Sequence, residues 1–417
     1  MIVIIRSFLA LLAATIFLCM AGGLMNSLLS INLRLAGTSD QVIGLVLSCN
    51  YLGIVLGIFF SQRVVHRVGH IRSFAAFAAS ITAISLLHGL YVSAWLWAFL
   101  RICNGLCVTG VYMVLESWLN EKVEPVFRGR LLSVYMTLVY LGTGSGQLML
   151  NAGDVQGPTL FMIAAILSAV CLVPICMTRA VNPEPLKVPT YNLIKLFRLA
   201  PVGMAGSFLA GLINSAFYSM GPVFGLDIGL QISQVSLFMG VTVWAGLMFQ
   251  FPVGFLSDRI DRLMILSGLG FAIALVSLAL AQLGGGGMGV LMPLTVGFGV
   301  AFTVYPVSVA RAQDNLEKEE IVPASAALIL FFGVGACFGP LLASWAIAAF
   351  GPWGLYYFTA CCGGVLGVSA WLVRYKLPSN VENQVAFVPL HRTSPVASHL
   401  DPRGEPESGG GAGEVED

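Results

Sequence analysis

Residues 254–263 read GFLSDRIDRL and lie between two long apolar runs, at about 232–256 and 263–283. Each run has at least the roughly 20 residues that a helix needs to cross the hydrocarbon core of a bilayer. The charged residues of this stretch all fall in the short loop, at Asp258, Arg259, Asp261 and Arg262. The stretch therefore predicts two membrane-spanning helices joined by a charged turn.

The composition of the whole chain agrees with this prediction. Of the 417 residues, 57% are hydrophobic and 10% are charged, and the net charge is +1. Soluble domains have about 25% charged residues, so this chain lacks the charge to cover a water-exposed surface. The composition excludes a cytosolic enzyme, a nucleic-acid binder that relies on a basic field, and a disordered chain. We interpret the nine scattered cysteines as small core residues.

Twelve apolar runs have the length of a membrane span. They lie at about 7–33, 41–60, 71–90, 94–118, 130–150, 158–179, 203–225, 232–256, 263–283, 288–311, 323–349 and 353–374. The runs are continuously apolar without period-two alternation, which predicts an all-α membrane protein and not a barrel. No small-residue cleavage site ends the first run, so we take it as a span and not as a removed leader.

Lysine and arginine mark one side of the predicted membrane. The loops after the even-numbered runs, with the middle linker, hold Arg63, Arg67, Arg72, Lys122, Arg128, Arg130, Arg179, Lys187, Lys195, Arg198, Arg259, Arg262, Arg311, Lys318, Arg374 and Lys376. The loops on the other side hold only Arg34. Because cytoplasmic loops are rich in these residues, we expect a multi-pass protein of the cytoplasmic membrane with both termini in the cytoplasm.

An internal repeat relates the two halves of the chain. Arg67 aligns with Arg259 at an offset of 192 residues. An offset of 193 relates Val111 and Tyr112 to Val304 and Tyr305, and also relates Gly142 and Gly146 to Gly335 and Gly339. Three separate places agree within one residue, which predicts two pseudo-symmetric bundles of six helices.

The repeat and the composition define four segments. We expect a first six-helix bundle at 1–180, a cytoplasmic linker at 181–202, a second six-helix bundle at 203–376 and a tail at 377–417. The tail is rich in Gly, Pro, Ser and acidic residues, so we expect it to be disordered and cytoplasmic.

The charged loop resembles the G-x-L-x-D-R-x-G-R signature of the major facilitator superfamily, with Asp261 in place of the second glycine. Arg101 and Gly105 resemble the second motif of that superfamily, and residues 335–340 resemble its Gly-Pro motif, usually sited in span 5. Residues 116–117, 128–132 and 304–307 resemble the YcaD-type group within it. The resemblance covers about residues 5–376 and implies a secondary transporter that works by alternating access.

The resemblance also implies a gate on the cytoplasmic side. In the second half its motif residues are Gly254, Asp258, Arg259 and Arg262, and in the first half the matching loop holds His66, Arg67 and Gly69. Arg128 and Arg130, in the next cytoplasmic loop before span 5, are further candidates. Asp258 would contact a helix N-terminus and the arginines would pair across the halves only when that side is closed. The alternative is a positively charged anchor loop. His66 replaces the family's aspartate and either makes this gate pH-sensitive or is a solvated loop residue.

Two ionisable residues in span 4 are candidates for coupling transport to protons. Arg101 lies inside the apolar run, where a charge is unfavourable and usually faces a cavity or a partner. A hydrogen-bonding arginine with a structural role is the alternative. Glu116 lies near the cytoplasmic end of the same span, and it either carries a proton or pairs with Arg128 or Arg130.

The substrate cavity should be lined by spans 1, 4, 7 and 10 if the resemblance holds. Candidate residues are Asn26, Tyr112, Asn214, Tyr218 and Tyr305, with Asn50, Gln147, Trp244 and Gln250 as second-rank candidates in neighbouring spans. Each either contacts the solute or bridges helices. Few fixed charges favour neutral, amphipathic or weakly charged solutes. Gly335, Gly339 and Pro340 either let span 11 flex or simply allow tight packing.

We therefore predict a transporter and no enzyme. The alternative is a polytopic membrane enzyme such as an acyl or glycosyl transferase, but the five histidines form no cluster in the spans. The sequence has no phosphate-binding loop to support ATP drive. We expect no metal and no cofactor. Transport is either coupled to protons or another ion, as antiport or symport, or is facilitated diffusion, and the sequence does not choose between efflux and uptake. The expected partners are a small-molecule substrate and the lipid bilayer, with no nucleic acid, and the chain should be a monomer.

Overall fold

The structure is a computed structural model, and it describes residues 2–122, 127–176, 193–314 and 316–376, together with residues 384, 387 and 394. In these residues every regular element is a helix, so the all-α prediction is confirmed. The first half contains α1 (Ile2–Leu35), α2 (Asp40–Val68), α3 (His70–Leu90), α4 (Ala94–Lys122), α5 (Arg128–Leu148), α6 (Thr159–Val170) and α7 (Leu172–Cys176).

The second half begins after the middle linker. A short helix, α8 (Leu193–Leu199), occupies the end of the segment predicted as a linker, while residues 177–192 lie outside the described part. The helices that follow are α9 (Pro201–Asp227), α10 (Ile232–Ser257), α11 (Arg262–Leu283), α12 (Met288–Phe298), α13 (Val304–Gln313), α14 (Lys318–Phe350) and α15 (Gly354–Lys376).

Ten helical stretches of the described chain are long and apolar enough to cross a bilayer. The other two predicted spans correspond by position to α5 and to the shorter apolar helical stretch Thr159–Ile175. We use the term terminal face for the membrane side at which α1 begins, and opposite face for the side at which α1 ends. Helices α2, α4, α10 and α15 all end at the terminal face.

The two halves are built from the same helix pairs. In the first half α1 packs against α5, α2 against α4, and α3 against α6. In the second half α9 packs against α14, α10 against α12 and the turn that follows it, and α11 against α15. Because these pairs occupy equivalent positions in each run of six spans, the architecture has the internal symmetry expected from the repeat.

Glycines of the sequence repeat lie where these helices approach most closely. A Cβ atom at Gly146 would collide with the carbonyl oxygen of Met20 in α1, and Gly142 lies one turn away in the same contact. Gly335 and Gly339 meet carbonyl oxygens of α9 in the same way. Only glycine lets two helix backbones come this close. The fixed offset in the sequence therefore corresponds to a repeated helix–helix contact.

The tenth predicted span is interrupted, and a proline accounts for the interruption. The run 288–311 forms α12, a short 3-10 turn at Gly299–Thr303, and then α13. Pro306 has no amide hydrogen, so the carbonyl of Phe302 loses its helical donor. The side-chain amide of Gln250 in α10 donates to that carbonyl at 3.2 Å and to the Tyr140 hydroxyl at 3.1 Å. Gln250 thus stabilises the break and also links α10 to α5 of the other half.

Contacts between the halves close the opposite face. There α1 meets α9, α2 meets α14 and α5 meets α10. A Cβ atom at Gly44 near the start of α2 would collide with Ser344 near the end of α14. The amide of Asn151, just after α5, donates to Ser236 of α10 at 2.9 Å. The structure therefore represents a state in which solute cannot pass to the opposite face.

Candidate functional site

A cavity of about 220 Å³ lies between the two halves. The first half contributes α1 to α6 to its wall, and the second half contributes α9 and α14. Pockets for drug-sized ligands are typically about 300–1,000 Å³, so this cavity suits a smaller solute. Much of the wall is apolar, including Ile54, Val55, Ile58, Val108, Ile329 and Phe332.

Arg101 is the only charged side chain among the described residues that line the cavity. It is 2% exposed, and its Nη2 donates to the side-chain oxygen of Asn26 in α1 at 2.7 Å. Its Nε has no partner within the described part of the chain. No described carboxylate lies within 4.0 Å of the guanidinium nitrogens. The cavity wall therefore contains a positive charge whose described hydrogen-bond partner is neutral.

Asn214 faces the same cavity from α9 in the other half. It is 1% exposed, and neither its side-chain oxygen nor its side-chain nitrogen has a partner among the described residues. In contrast, Asn104 and Asn50 satisfy each other, since Nδ2 of Asn104 donates to Oδ1 of Asn50 at 3.0 Å. Both of these residues also line the cavity. Asn214 thus offers a hydrogen-bond acceptor and a donor to a ligand in the cavity.

The structure separates the predicted cavity residues into two groups. Five of the nine line the cavity, namely Asn26, Asn50, Tyr112, Asn214 and Tyr218. The other four do not belong to its lining, namely Tyr305, Gln147, Trp244 and Gln250. Because helical periodicity places only one face of each span toward the cavity, polar residues on the other faces contact neighbouring helices instead.

The four residues outside the lining have identifiable packing partners. The ring of Tyr305 packs edge-on against Phe332 with centroids 5.1 Å apart, so Tyr305 lies one layer behind the wall. Gln147 accepts a hydrogen bond from Ser27 of α1. The indole of Trp244 lies against Gly144, at the contact between α10 and α5. Gln250 completes the broken tenth span, as described above.

Sequence reasoning missed several polar residues of the wall. They are Tyr51, Ser85, Asn104, Thr143, Ser168 and Ser215. Asn104 had a usable signal, because it lies three residues after Arg101 and residues three apart share one face of a helix. Of the four spans that the resemblance implied, spans 1, 4 and 7 contribute to the described wall, whereas span 10 does not. The wall instead extends to spans 2, 3, 5, 6 and 11.

An ion pair joins the halves at the opposite face, and the sequence did not indicate it. Nε of Arg34 at the end of α1 lies 2.6 Å from Oδ1 of Asp227 at the end of α9. Nη1 of Arg34 lies 3.1 Å from Asp40 at the start of α2. The Asp227 side chain is only 9% exposed. A charge-assisted bond with little solvent exposure stabilises the closed opposite face.

The predicted gate loop lies at the terminal face with its charges paired. The buried side chain of Arg262 contacts Asp258 at 3.3 Å, pairs with Asp314 and donates to the carbonyl of Ala310 at 3.2 Å. The guanidinium of Arg259 lies 3.8 Å from the ring centroid of Phe255. All of these partners belong to the second half. The expected contacts across the halves require a closed terminal face, so the gate role stays a prediction.

Asp261, which replaces a glycine of the family signature, has a structural explanation. Its carboxylate accepts a hydrogen bond from the amide of Leu263 at 2.8 Å and so caps α11. Its second oxygen lies 3.2 Å from Nε of Arg374 near the end of α15. An aspartate at this position stabilises the helix start and ties it to the last span.

The matching loop of the first half has no such network in the described residues. His66 and Arg67 are exposed in the last turn of α2, and both interpretations of His66 stay predictions. Gly69 ends α2 with φ of 86°, a conformation that favours glycine. His70 is 1% exposed, and its ring centroid lies 6.3 Å from that of Trp118. The two histidines therefore occupy different environments, although both stand in the motif.

Glu116 is buried, and described residues hydrogen-bond to both of its oxygens. The Tyr135 hydroxyl donates to Oε1 at 3.0 Å, and the Ser394 hydroxyl donates to Oε2. Arg130 is exposed, and the side chain of Arg128 lies outside the described part, so the predicted pairing with these residues stays a prediction. Glu116 does not belong to the cavity lining.

Two described residues of the tail contact the terminal face. Besides the contact of Ser394 with Glu116, the amide of Phe387 donates to Oδ1 of Asp258 at 2.6 Å. A Cβ atom at Gly254 would lie 2.7 Å from the ring of Phe387 and would collide with it. Ser394 is thus bonded to the first half and Phe387 to the second. Apart from residue 384, the rest of the predicted disordered tail lies outside the described residues.

Comparisons with known proteins agree with this architecture. The family model described as Major Facilitator Superfamily matches residues 11–328. An uncharacterized MFS-type transporter, YcaD, of Salmonella newport (strain SL254) is 28% identical over 344 residues, which cover 81% of this chain and 88% of the relative.

Solved structures share the fold at low sequence identity. The crystal structure of a mutant form of the nucleoside transporter NupG has a TM-score of 0.75 at 13% identity and covers 88% of this chain and 100% of that chain. The D-xylose-proton symporter has a TM-score of 0.66 at 14% identity and covers 92% of this chain and 98% of that chain.

These findings confirm the predicted fold of two six-helix bundles and the prediction that the protein is no enzyme. Nothing in them supports an acyl or glycosyl transferase. The protein is a multi-pass membrane protein with the fold and the relatives of a secondary transporter. The chain belongs to the Major Facilitator Superfamily of membrane transporters.

Proposed function

We propose that the protein carries a small solute across the cytoplasmic membrane through the cavity between its halves, with the terminal face in the cytoplasm. The observation that carries the proposal is a polar-and-apolar cavity closed on the opposite face by contacts between the two bundles. Alternating access requires that these contacts break while the terminal face closes. The excess of lysine and arginine in the loops of the terminal face supports the cytoplasmic assignment.

The gate role of the charged loop is part of this proposal. When the terminal face closes, Asp258 would exchange its present partners for the N-terminal end of a helix of the first half, where a carboxylate is favourable. Asp258→Asn should then weaken the state that is open to the opposite face. Unchanged transport and unchanged cysteine accessibility at the terminal face in this variant would contradict the role.

Coupling to protons or to another ion remains a proposal. Arg101 and Glu116 are the candidate residues, since both are buried ionisable groups of α4. Glu116 lies among donors from Tyr135 and Ser394, so its ionisation would affect the terminal face and not the cavity wall directly. Uptake into proteoliposomes with and without a pH gradient, for a panel of small metabolites, measures both solute and coupling.

Alternating access itself can be tested by locking the opposite face. Asn151 and Ser236 touch across the halves there, and neither lines the cavity. A short bifunctional thiol reagent on the double variant Asn151→Cys, Ser236→Cys should abolish uptake into proteoliposomes. Each single variant, treated in the same way, controls for modification without cross-linking. Full uptake by the cross-linked protein would refute the proposed mechanism.

A further inference from the structure

Two residues of the cavity wall have polar atoms that no described residue satisfies. Of the described residues that line the cavity, only Arg101 and Asn214 have buried side-chain atoms without a hydrogen-bond partner. Arg101 belongs to α4 of the first half, and Asn214 to α9 of the second. An unsatisfied buried polar atom is unfavourable, and more so when the group is charged. Hydrogen bonds to these atoms should therefore contribute most to the binding free energy of a ligand.

The charge of Arg101 determines the first requirement on the ligand. A guanidinium that is 2% exposed within a membrane span is unfavourable, and a nearby negative charge stabilises it. Asn26 contributes only a neutral oxygen, and no described carboxylate lies within 4.0 Å. Arginine binds carboxylates through two parallel hydrogen bonds, and the unpartnered Nε is one of the donors for such a pair. A single arginine with no second cation in the described wall fits one negative charge and not two.

The remainder of the wall determines the second and third requirements. Asn214 presents both a donor and an acceptor from the other half, which suits an uncharged hydroxyl or carbonyl group. Much of the rest of the wall is aliphatic, for example at Ile54, Val108 and Ile329. This surface favours a short apolar body.

We propose that the cavity binds a small monocarboxylate that carries one uncharged hydroxyl or carbonyl group, and that this is the class of solute transported. The proposal rests on the proposed transport function. The carboxylate pairs with Arg101, and the uncharged group bonds to Asn214. Because these two residues belong to different halves, such a ligand contacts both bundles at once. A solute that contacts both bundles can shift the equilibrium between their two arrangements.

The test uses three matched four-carbon probes that separate these requirements. Hydroxybutyrate has the charge and the hydroxyl, butyrate has the charge alone, and hydroxybutyramide has the hydroxyl alone. Binding to the detergent-purified full-length protein is measured by titration calorimetry at neutral pH, and uptake is measured in proteoliposomes. We expect hydroxybutyrate to bind at least about 10-fold more tightly than hydroxybutyramide and several-fold more tightly than butyrate, from the strengths of charged and neutral hydrogen bonds.

Variants assign the two ends of the ligand. Arg101→Gln, which can still bond Asn26, should weaken hydroxybutyrate binding by about 10-fold or more. Asn214→Ala should remove the advantage of hydroxybutyrate over butyrate and leave butyrate binding unchanged. Arg198→Gln, at an exposed arginine of α8, removes a positive charge outside the cavity. It should change neither the binding of hydroxybutyrate nor that of butyrate. Melting temperatures identify any variant that fails to fold, and the Asn214 result is independent of the Arg101 variant.

Several outcomes would overturn the proposal. They are equal binding of amide and acid, unchanged binding of hydroxybutyrate by a folded Arg101→Gln protein, and the absence of binding by either acid. Chloride that competes as well as hydroxybutyrate would show that the guanidinium holds an inorganic anion instead. Transport of neutral solutes alone would refute this proposal and leave the transport function intact. Uptake that survives the cross-link at the opposite face would refute the transport mechanism regardless of the solute.

Discussion

The ion pair between Arg34 and Asp227 should contribute to the free energy that keeps the opposite face closed. The substitution Asp227→Asn keeps the size of the side chain and removes its charge. Hydrogen bonds that involve a charged group contribute about 1.5–3 kcal/mol when they are well shielded. The Arg34 side chain is 34% exposed, so solvent screens the pair. We therefore expect a loss of about 1–1.4 kcal/mol in the stability of the closed face.

A loss of that size has a measurable kinetic consequence. It raises the fraction of molecules with an open opposite face by about 5- to 10-fold while the closed state still predominates. Ser344 near the end of α14 is fully buried against α2 and reports this opening. In a Ser344→Cys background, Asp227→Asn should accelerate modification by a membrane-impermeant maleimide by the same factor. Mass spectrometry of the modified peptide separates this cysteine from the native ones.

Two controls make the result specific. Asp154 is exposed near the same face, and its carboxylate accepts a bond only from the nearby amide of Gln156 among the contacts described. Asp154→Asn should therefore leave the modification rate unchanged. In an Arg34→Gln background, Asp227→Asn should add less than about 2-fold, because its partner is already gone. A rate for Asp227→Asn within about 2-fold of the parent, or an equal rise for Asp154→Asn, would refute the reasoning.

Three further predictions follow from packing and exposure. Gly146→Ala should destabilise the purified protein by about 1–3 kcal/mol and so lower its melting temperature, since its Cβ collides with a carbonyl of α1. The control Gly268→Ala, where nothing lies within 4 Å, should leave the melting temperature unchanged. Gln250→Leu should destabilise by about 1–3 kcal/mol in chemical unfolding, because it removes the buried amide that donates to the carbonyl of Phe302 at the break. Tyr140→Phe retains that bond and should cost clearly less; equal losses would contradict the assignment. His66→Gln should leave the pH profile of transport unchanged, since His66 is exposed, and a displaced profile would instead support a pH-sensitive gate.

Sequence reasoning succeeded where a physical signal is local or periodic. The apolar runs depend on helix length, and the fixed offset between Gly146 and Gly339 depends on a repeated helix contact. The same reasoning failed for residues whose role depends on the direction of a side chain. Gln250 and Tyr305 are polar residues in spans, yet one stabilises a broken helix and the other lies behind Phe332.

The sequence by itself determined that the chain spans the membrane many times, that it consists of two related halves, and that Arg101 is a buried charge. The spans and the buried charge follow from hydrophobicity, and the two halves follow from the internal repeat; both need only the residue types in order. Only the tertiary structure decided that Arg34 meets Asp227 and that the described tail residues contact both halves at the terminal face. It also decided that Asn214 faces the same cavity as Arg101. These contacts join residues far apart in the chain, and their positions depend on how the two bundles pack.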